Sequence, residues 1–243
     1  MNNFVFIIPF RNVANYIDIC TKSLLLQSYK NWKAIFIDDV SNDGSMLKIP
    51  NDPRFIKIIN EERVTALPNI HNAIINNKLE EEDIICILDG DDYLLRQDSL
   101  EILNKFYNDN NQILLSYGQY VTTNGHLGHC APYTIESFKS LRKGGYWASH
   151  LRTFKYKLYL ELLKQDPNVK CYKDKDDKYY TICYDIAIMT PLMEIAGFDK
   201  VGFNPIPIYV YRLHPQNDHV VNGRLQKQIE IEIFAKESFK QIF

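Results

Sequence analysis

Three carboxylates stand around one glycine in Asp89-Gly90-Asp91-Asp92. Like charges set this close repel one another unless something positive lies between them. Oxygen ligands suit Mg²⁺ or Mn²⁺. A divalent ion held by one or two carboxylates keeps room in its shell for a substrate diphosphate. The apolar run Ile84, Ile85, Cys86, Ile87 and Leu88 leads straight into the cluster. A run so short and so rich in isoleucine reads as a buried strand. Such a strand delivers Asp89, Asp91 and Asp92 together at its carboxyl end, where open α/β sheets bind ligands. Asp-Gly also marks ordinary turns, so a polar turn is the rival reading.

A second acidic pair, Asp38-Asp39, closes the apolar stretch Ala34 to Ile37 and precedes Ser41-Asn42-Asp43-Gly44-Ser45. An ionised carboxylate only accepts hydrogen bonds, so it selects a ring N–H or hydroxyls. Either Asp can also cap the turn that follows. Asp185 opens a long apolar stretch of helical period. An acid there is a candidate proton acceptor, or simply a cap favoured by the helix dipole.

The elements that must position these groups alternate in kind. Strands are expected at Phe4 to Ile8, Ala34 to Ile37, Phe55 to Ile59, Ile84 to Leu88 and Ile113 to Tyr120. The spacing of Val13, Ile17, Cys20 and Leu24 predicts a helix from Asn12 or Asn15 to about Gln27. Further helices are expected over Thr65 to Lys78, Ser99 to Tyr107 with Asp98 as N-cap, Thr153 to Lys164, Tyr184 to Gly197, and Gly223 to Phe239. Lys170 to Lys178 reads as a surface loop and Pro205 to Leu213 as extended chain. Alternating strands and helices argue for a parallel sheet with crossover helices. The pattern loosens after Val121, which suggests two halves of one domain over 1–243: a nucleotide-binding half, then an acceptor-binding half.

The formal net charge of -2 gives no global attraction to nucleic acid or to an anionic membrane. The five cysteines form no CxxC pair and hence no zinc signature. Cys20 and Cys86 lie inside apolar patterns and read as buried free thiols. An odd count without a signal peptide favours a reducing compartment. No stretch approaches the ~18 consecutive apolar residues of a membrane span. A soluble, cytoplasmic protein is expected.

Three features line up in chain order: Ile8-Pro9-Phe10-Arg11-Asn12, Ile37-Asp38-Asp39 with its loop, and Asp89-Gly90-Asp91-Asp92. Their order and residues resemble the family 2 glycosyltransferases, which have the GT-A fold. The match runs through Asp92 and resumes later. The resemblance implies a mixed, mostly parallel central sheet flanked by helices on both faces. It implies a metal-dependent, inverting transfer of sugar from a nucleotide donor, a UDP-sugar, to the hydroxyl of a glycan or another acceptor.

Residue by residue, Pro9, Phe10 and Arg11 would lie against base and ribose, and Asp38 or Asp39 would accept from the base or ribose. Arg63 and Asn69 match a basic residue and an asparagine near the nucleotide, although Arg63-Val64-Thr65 lacks the glycines common there. Asp91 would ligate Mn²⁺ or Mg²⁺. Asp89 would bind the ribose or reach the metal through water, and Gly90 would keep the backbone close. The family often has Glu-Asp where this chain has Tyr184-Asp185, so Asp185 alone matches the catalytic base.

Trp147, with its flat apolar face, and His150 or Arg152, as hydrogen-bond donors, would flank the acceptor. Tyr211 to His219 resembles a loop closing over the sugar donor, with His214 as a third metal ligand and Arg212 and Asn217 as further contacts. Two rivals stand beside this reading. A sugar nucleotidyltransferase would need a glycine-rich basic loop after the first strand, and Ile8 to Ala14 has no glycine. A catalytically inactive member would bind nucleotide sugar or glycan without turnover.

Overall fold

The computed structural model describes residues 1–215, 217 and 221–243. Strands β1 (Phe4–Phe10), β2 (Trp32–Asp38), β3 (Phe55–Ile59) and β4 (Ile84–Ile87) run parallel to one another. They are joined in one eight-stranded sheet by β5 (Tyr93–Leu94), β6 (Leu115–Thr122), β7 (Arg152–Lys155) and β8 (Val201–Tyr211), in the order β3-β2-β1-β4-β7-β6-β8-β5.

The central strands are apolar throughout because both sides of the sheet are covered. Val5, Ile7, Ile35, Ile37, Ile85 and Ile87 enter one core. It is closed by α2 (Ala66–Asn76), α5 (Tyr156–Gln165), α6 (Tyr184–Ala196) and α7 (Gly223–Phe234). Phe4, Phe6, Ile8, Phe36 and Cys86 enter the other, closed by α1 (Ile17–Leu25) and α3 (Ser99–Asp109). A short helix, α4 (Ile135–Lys139), starts at a capping box in which Thr134 and Ser137 bond reciprocally.

The topology gathers the candidate residues at one sheet edge. β1, β2 and β4 are parallel, so Arg11, Asp39 and Asp89 leave them on the same side. β7 is antiparallel to β4, with Arg152 opposite Ile87, so His150 and Arg152 enter from that side too. β5 pairs with β8 through Tyr93 and Val210, which carries the end of β8 to Asp91 and Asp92.

Several elements depart from expectation. α1 starts at Ile17 because the backbone N–H groups of Asn12, Val13 and Ala14 are taken by Ser41, Ser45 and Asp43 side chains. Residues 152–155 form a strand, and the helix expected from Thr153 begins at Tyr156. Asp98 does not cap α3: Arg96 holds its carboxylate, and Gln27 accepts from the N–H of Leu100 instead. The stretch expected as a surface loop buries Cys171 and Tyr172. The last helix ends at Phe234, after which the tail returns onto α6 and α5: Ile242 N–H donates to Ile195 O, and Gln165 pairs with the Lys240 backbone. All five cysteines are buried. No helix among the described residues is long and apolar enough to cross a membrane.

Candidate active site

β4 runs out at Ile87, and the turn that follows is tightened by Asp92 N–H donating to Asp89 O. Gly90 is required in that turn: a Cβ there would sit 2.5 Å from Phe10 Cβ. Asp89 Oδ1 accepts from the Tyr184 hydroxyl at 2.5 Å. Asp91 Oδ2 lies 2.8 Å from His214 Nε2, and the Asp91 carbonyl accepts from Arg212 Nε at 2.7 Å. Asp92 is buried, with one oxygen on the Tyr209 hydroxyl at 2.6 Å and the other on Arg212 N–H at 2.7 Å.

Crowding shows in the acidities. Burial pushes the Asp89 carboxyl up to about 6, with Asp91 and Asp185 adding to the rise against the pull of Arg152 and Tyr184. Burial, then the charges of Asp91 and Asp89, raises Asp92 as well.

Arg152 is the central cation, only 3% exposed. Burial opposes its charge, but Asp185, Tyr184, Tyr146 and Asp89 outweigh that and hold it protonated. Its Nη2 lies 3.2 Å from Asp185 Oδ2 and 3.4 Å from His150 Nε2; its Nη1 donates to Tyr184 Oη at 3.4 Å. Its Nε is buried without a partner. His150 is stacked between Tyr209 and Tyr211, with ring centroids 4.4 and 5.3 Å away, and burial holds its pKa well below the usual range. Asp185 is the second residue of α6, with its side chain 25% exposed, and its carbonyl accepts from the Tyr146 hydroxyl at 3.2 Å. Trp147 is half-buried, its ring 5.1 Å from Tyr133.

On the expected nucleotide side, Pro9 and Phe10 are buried within β1 and Arg11 is exposed just beyond it. Asp39 is buried and heavily engaged. Its Oδ1 accepts from Val64 N–H and Asn60 Nδ2, and its Oδ2 accepts from Thr65 N–H with Arg63 Nε 3.9 Å away. Burial pushes the Asp39 pKa up, but these backbone N–H groups and the Asn69 and Asn60 amides outweigh it and set it below the ordinary value. Asp38 accepts from Ser41 N–H. Asn69 is 3% exposed, and its Oδ1 accepts from Asn60. Thr65 holds φ +75°, the left-handed backbone that glycine supplies more readily.

The end of β8 closes the other side. The Arg212 guanidinium lies between the rings of Tyr16 and Tyr93, at 4.8 and 5.3 Å, and His214 stacks on Tyr16 at 5.3 Å. Asn217 ties this strap together, accepting from His214 N–H and donating to Arg212 O. Gln216, Asp218 and His219 of the expected closing loop lie outside the described residues. Sequence reasoning gave no role to Tyr16, Tyr209 or the Tyr184 hydroxyl. Tyr16 reads as part of an amphipathic helix and Tyr209 as an ordinary strand residue, so neither carries a local signal.

The donor set suits a divalent cation. Among the described residues, ligating atoms of Asp89, Asp92 and His150 lie within 4.8 Å of one another, and Asp91 and His214 meet beside them. His150 Nδ1 is buried without a partner. Carboxylates with an imidazole favour Mg²⁺, Mn²⁺ or a somewhat softer ion over a thiolate-binding one.

The chain matches the family model described as glycosyl transferase family 2 over residues 5–166. Among solved structures it is similar to residues 1–349 of S. aureus TarS in complex with UDP-GlcNAc, at 15% identity and a TM-score of 0.66, covering 90% of this chain and 61% of that one. It is also similar to the mannosyltransferase PcManGT from Pyrobaculum calidifontis in complex with GDP-Man and Mn²⁺, at 16% identity and a TM-score of 0.64, covering 96% and 63%. The chain therefore spans about three fifths of the length of these structures. None of the curated protein sequences matches it. The likeness shows the GT-A fold, with its mixed sheet between helical layers. Because the family model covers well over half of the chain, the protein belongs to glycosyl transferase family 2.

Proposed function

We propose that this protein moves a sugar from a nucleoside-diphosphate donor, a UDP-sugar, to an acceptor hydroxyl by a single inverting displacement that depends on Mg²⁺ or Mn²⁺. The observation that carries the reading is one continuous network. Asp89 in the Asp-Gly-Asp turn reaches Asp185 through Tyr184 and Arg152, while His214 closes on Asp91 from the opposite side.

Asp91 and His214, with Asp89 beside them, are the residues assigned to the cation. Asp92 and His150 fit less well, although they cluster with Asp89. Both Asp92 oxygens are already bonded, and His150 Nε2 faces a guanidinium that would repel a metal. When bound, the cation neutralises the charge that builds on the departing diphosphate.

Asp185 takes the proton of the acceptor hydroxyl as that oxygen attacks the anomeric carbon. Arg152 fixes one carboxylate oxygen, and the partial exposure of Asp185 leaves the other side open to an acceptor. Trp147 supplies an apolar wall for that acceptor. His150 and Arg152 stand behind it as buried support. On the sugar-donor side, Asp38, Asp39, Arg63 and Asn69 frame the base, with Arg11 at its exposed rim. A reducing, cytoplasmic setting suits an odd number of buried cysteines.

The test is a panel of nucleotides and nucleotide sugars in thermal melts, each with and without Mn²⁺. A bound ligand raises apparent stability by mass action. A UDP-type ligand is expected to raise Tm, more strongly with Mn²⁺, and Asp91→Ala should abolish the Mn²⁺-dependent part. No nucleotide-dependent rise, or ligand lodged away from Asp91 in a soaked crystal, overturns the reading. Tight binding without any turnover favours a member that only binds, a reading that the replacement of an acid by Tyr184 supports.

A further inference from the structure

Tyr184 opens α6 one residue before Asp185, where a second acid would be expected. Its phenol has one proton to give and lone pairs to accept with. The proton goes to Asp89 Oδ1, and a lone pair takes Arg152 Nη1 at 3.4 Å. The Arg152 guanidinium lies 5.5 Å from the centre of the Tyr184 ring and reaches Asp185 with its Nη2.

We propose that Tyr184 is a positioning residue, whose hydroxyl both holds Asp89 toward the sugar-donor side and reserves the Arg152 guanidinium for Asp185. The inference rests on the reading of Asp89 as part of the metal and nucleotide site and of Asp185 as the base. Its logic is geometric. Asp89 and Arg152 are opposite charges in a buried setting, where attraction is strong. Among the described residues they form no direct ion pair; the tyrosine hydroxyl stands between them and bonds to each. Without it, Asp89 Oδ1 and Arg152 Nη1 are left unpartnered, and the guanidinium is drawn toward Asp89 and away from Asp185. A glutamate at the same position would bring a further negative charge and compete with Asp185 for the single arginine. The neutral phenol joins the two carboxylates without adding to the repulsion.

The experiment compares the full chain with Tyr184→Phe, which keeps the ring and loses the hydroxyl, and with 4-aminophenylalanine at position 184, which restores a donor. UDP affinity is measured by calorimetry with and without Mn²⁺, and crystal structures of both variants are determined. UDP affinity without Mn²⁺ is expected to stay within about threefold in both, since the base pocket is untouched. The Mn²⁺-linked gain in affinity is expected to fall about tenfold in Tyr184→Phe and to return with the amino group, because a hydrogen bond to a charged group has roughly that value. The Tyr184→Phe crystal should show Arg152 moved onto Asp89.

A Phe variant with the full Mn²⁺-linked gain and an unmoved Arg152 overturns the proposal, as does an amino variant no better than Phe. Should Tyr184→Phe fail to fold, a crystal of the unaltered chain with UDP and Mn²⁺ decides. Tyr184 on Asp89 with Arg152 on Asp185 supports the proposal, and a Tyr184 turned away overturns it. If the unaltered chain shows no Mn²⁺-linked UDP binding at all, the functional reading itself has failed, and the inference with it.

Discussion

Asp39 and Asp89 are two carboxylates at one sheet edge with opposite acid–base behaviour. Asp39 faces the N–H groups of Val64 and Thr65 and the Asn60 amide. Asp39→Asn would keep the shape but turn an amide hydrogen toward those donors. It should destabilise the chain by about 2 kcal/mol, read from urea denaturation. The Asp39 pKa lies below its ordinary value in the fold. Its contribution is therefore complete above the unfolded carboxylate value and disappears as pH falls through the lower folded one. Asp89 has the reverse sign. Its folded pKa is raised to about 6, so the folded, metal-free chain binds that proton more readily than the unfolded chain. Stability should rise as pH falls from above 6 toward about 4. Melts in a chelator should show Asp89→Asn more stable than the unaltered chain at pH 7.5, with the difference shrinking below pH 5. Asp185→Asn should lower transfer by about 10²- to 10⁴-fold while UDP affinity, measured by calorimetry, stays nearly constant.

The turn after β4 is the element on which the site depends most. Phe10 fills the space beneath Gly90, so β1 sets the height at which Asp89 and Asp91 emerge. Gly90→Ala would force the turn or Phe10 to move. It should cost about 1–3 kcal/mol in denaturant titrations and weaken Mn²⁺-linked UDP binding by more than the stability loss accounts for. Elements also show what local pattern hides. Arg152, Thr153, Phe154 and Lys155 make a short strand, yet Phe154, Leu158 and Leu162 repeat at helical spacing, so the strand merges into the helical pattern that follows. Thr153 is a strand residue through partners far along the chain, Cys86 on β4 and Ser116 on β6. The start of α1 was obscured in the same way. Asn12 to Ala14 continue the helical period, but Ser41, Asp43 and Ser45 take their N–H groups from across the sheet edge.

At the scale of the whole molecule, the apolar runs made the parallel half of the sheet legible, and the acid-ended strands marked the edge at which the candidate residues gather. The mixed half was less legible, because β7 is short and β5 has two residues. The ends of the site followed the same division. Asp89, Asp91 and Asp185 carry local signals, whereas the stacking of His150 between Tyr209 and Tyr211 is created by β7 and β8 coming together. The tail was misread as helix because its anchors are distant. Arg142 holds Glu194 through two nitrogens and the Ile233 carbonyl through a third, and Glu194 also accepts from Phe239 N–H. Arg142→Ala should lower stability by up to about 3 kcal/mol, since it leaves Glu194 largely buried without its cation. Protease sensitivity of the tail should rise with it.

That clamp has a practical consequence for handling the protein. Glu194 and Ile195 belong to α6, the helix that begins at Tyr184, and residues 239 and 242 hang from them. A bulky label fused after Phe243 would pull on the helix bearing Asp185, the proposed proton acceptor. The same label ahead of the exposed Met1 would tug on the outer end of the first strand and, through Asn2, on α3. Purification handles and fluorescent fusions placed at the front should leave turnover intact, and those placed at the back should slow it.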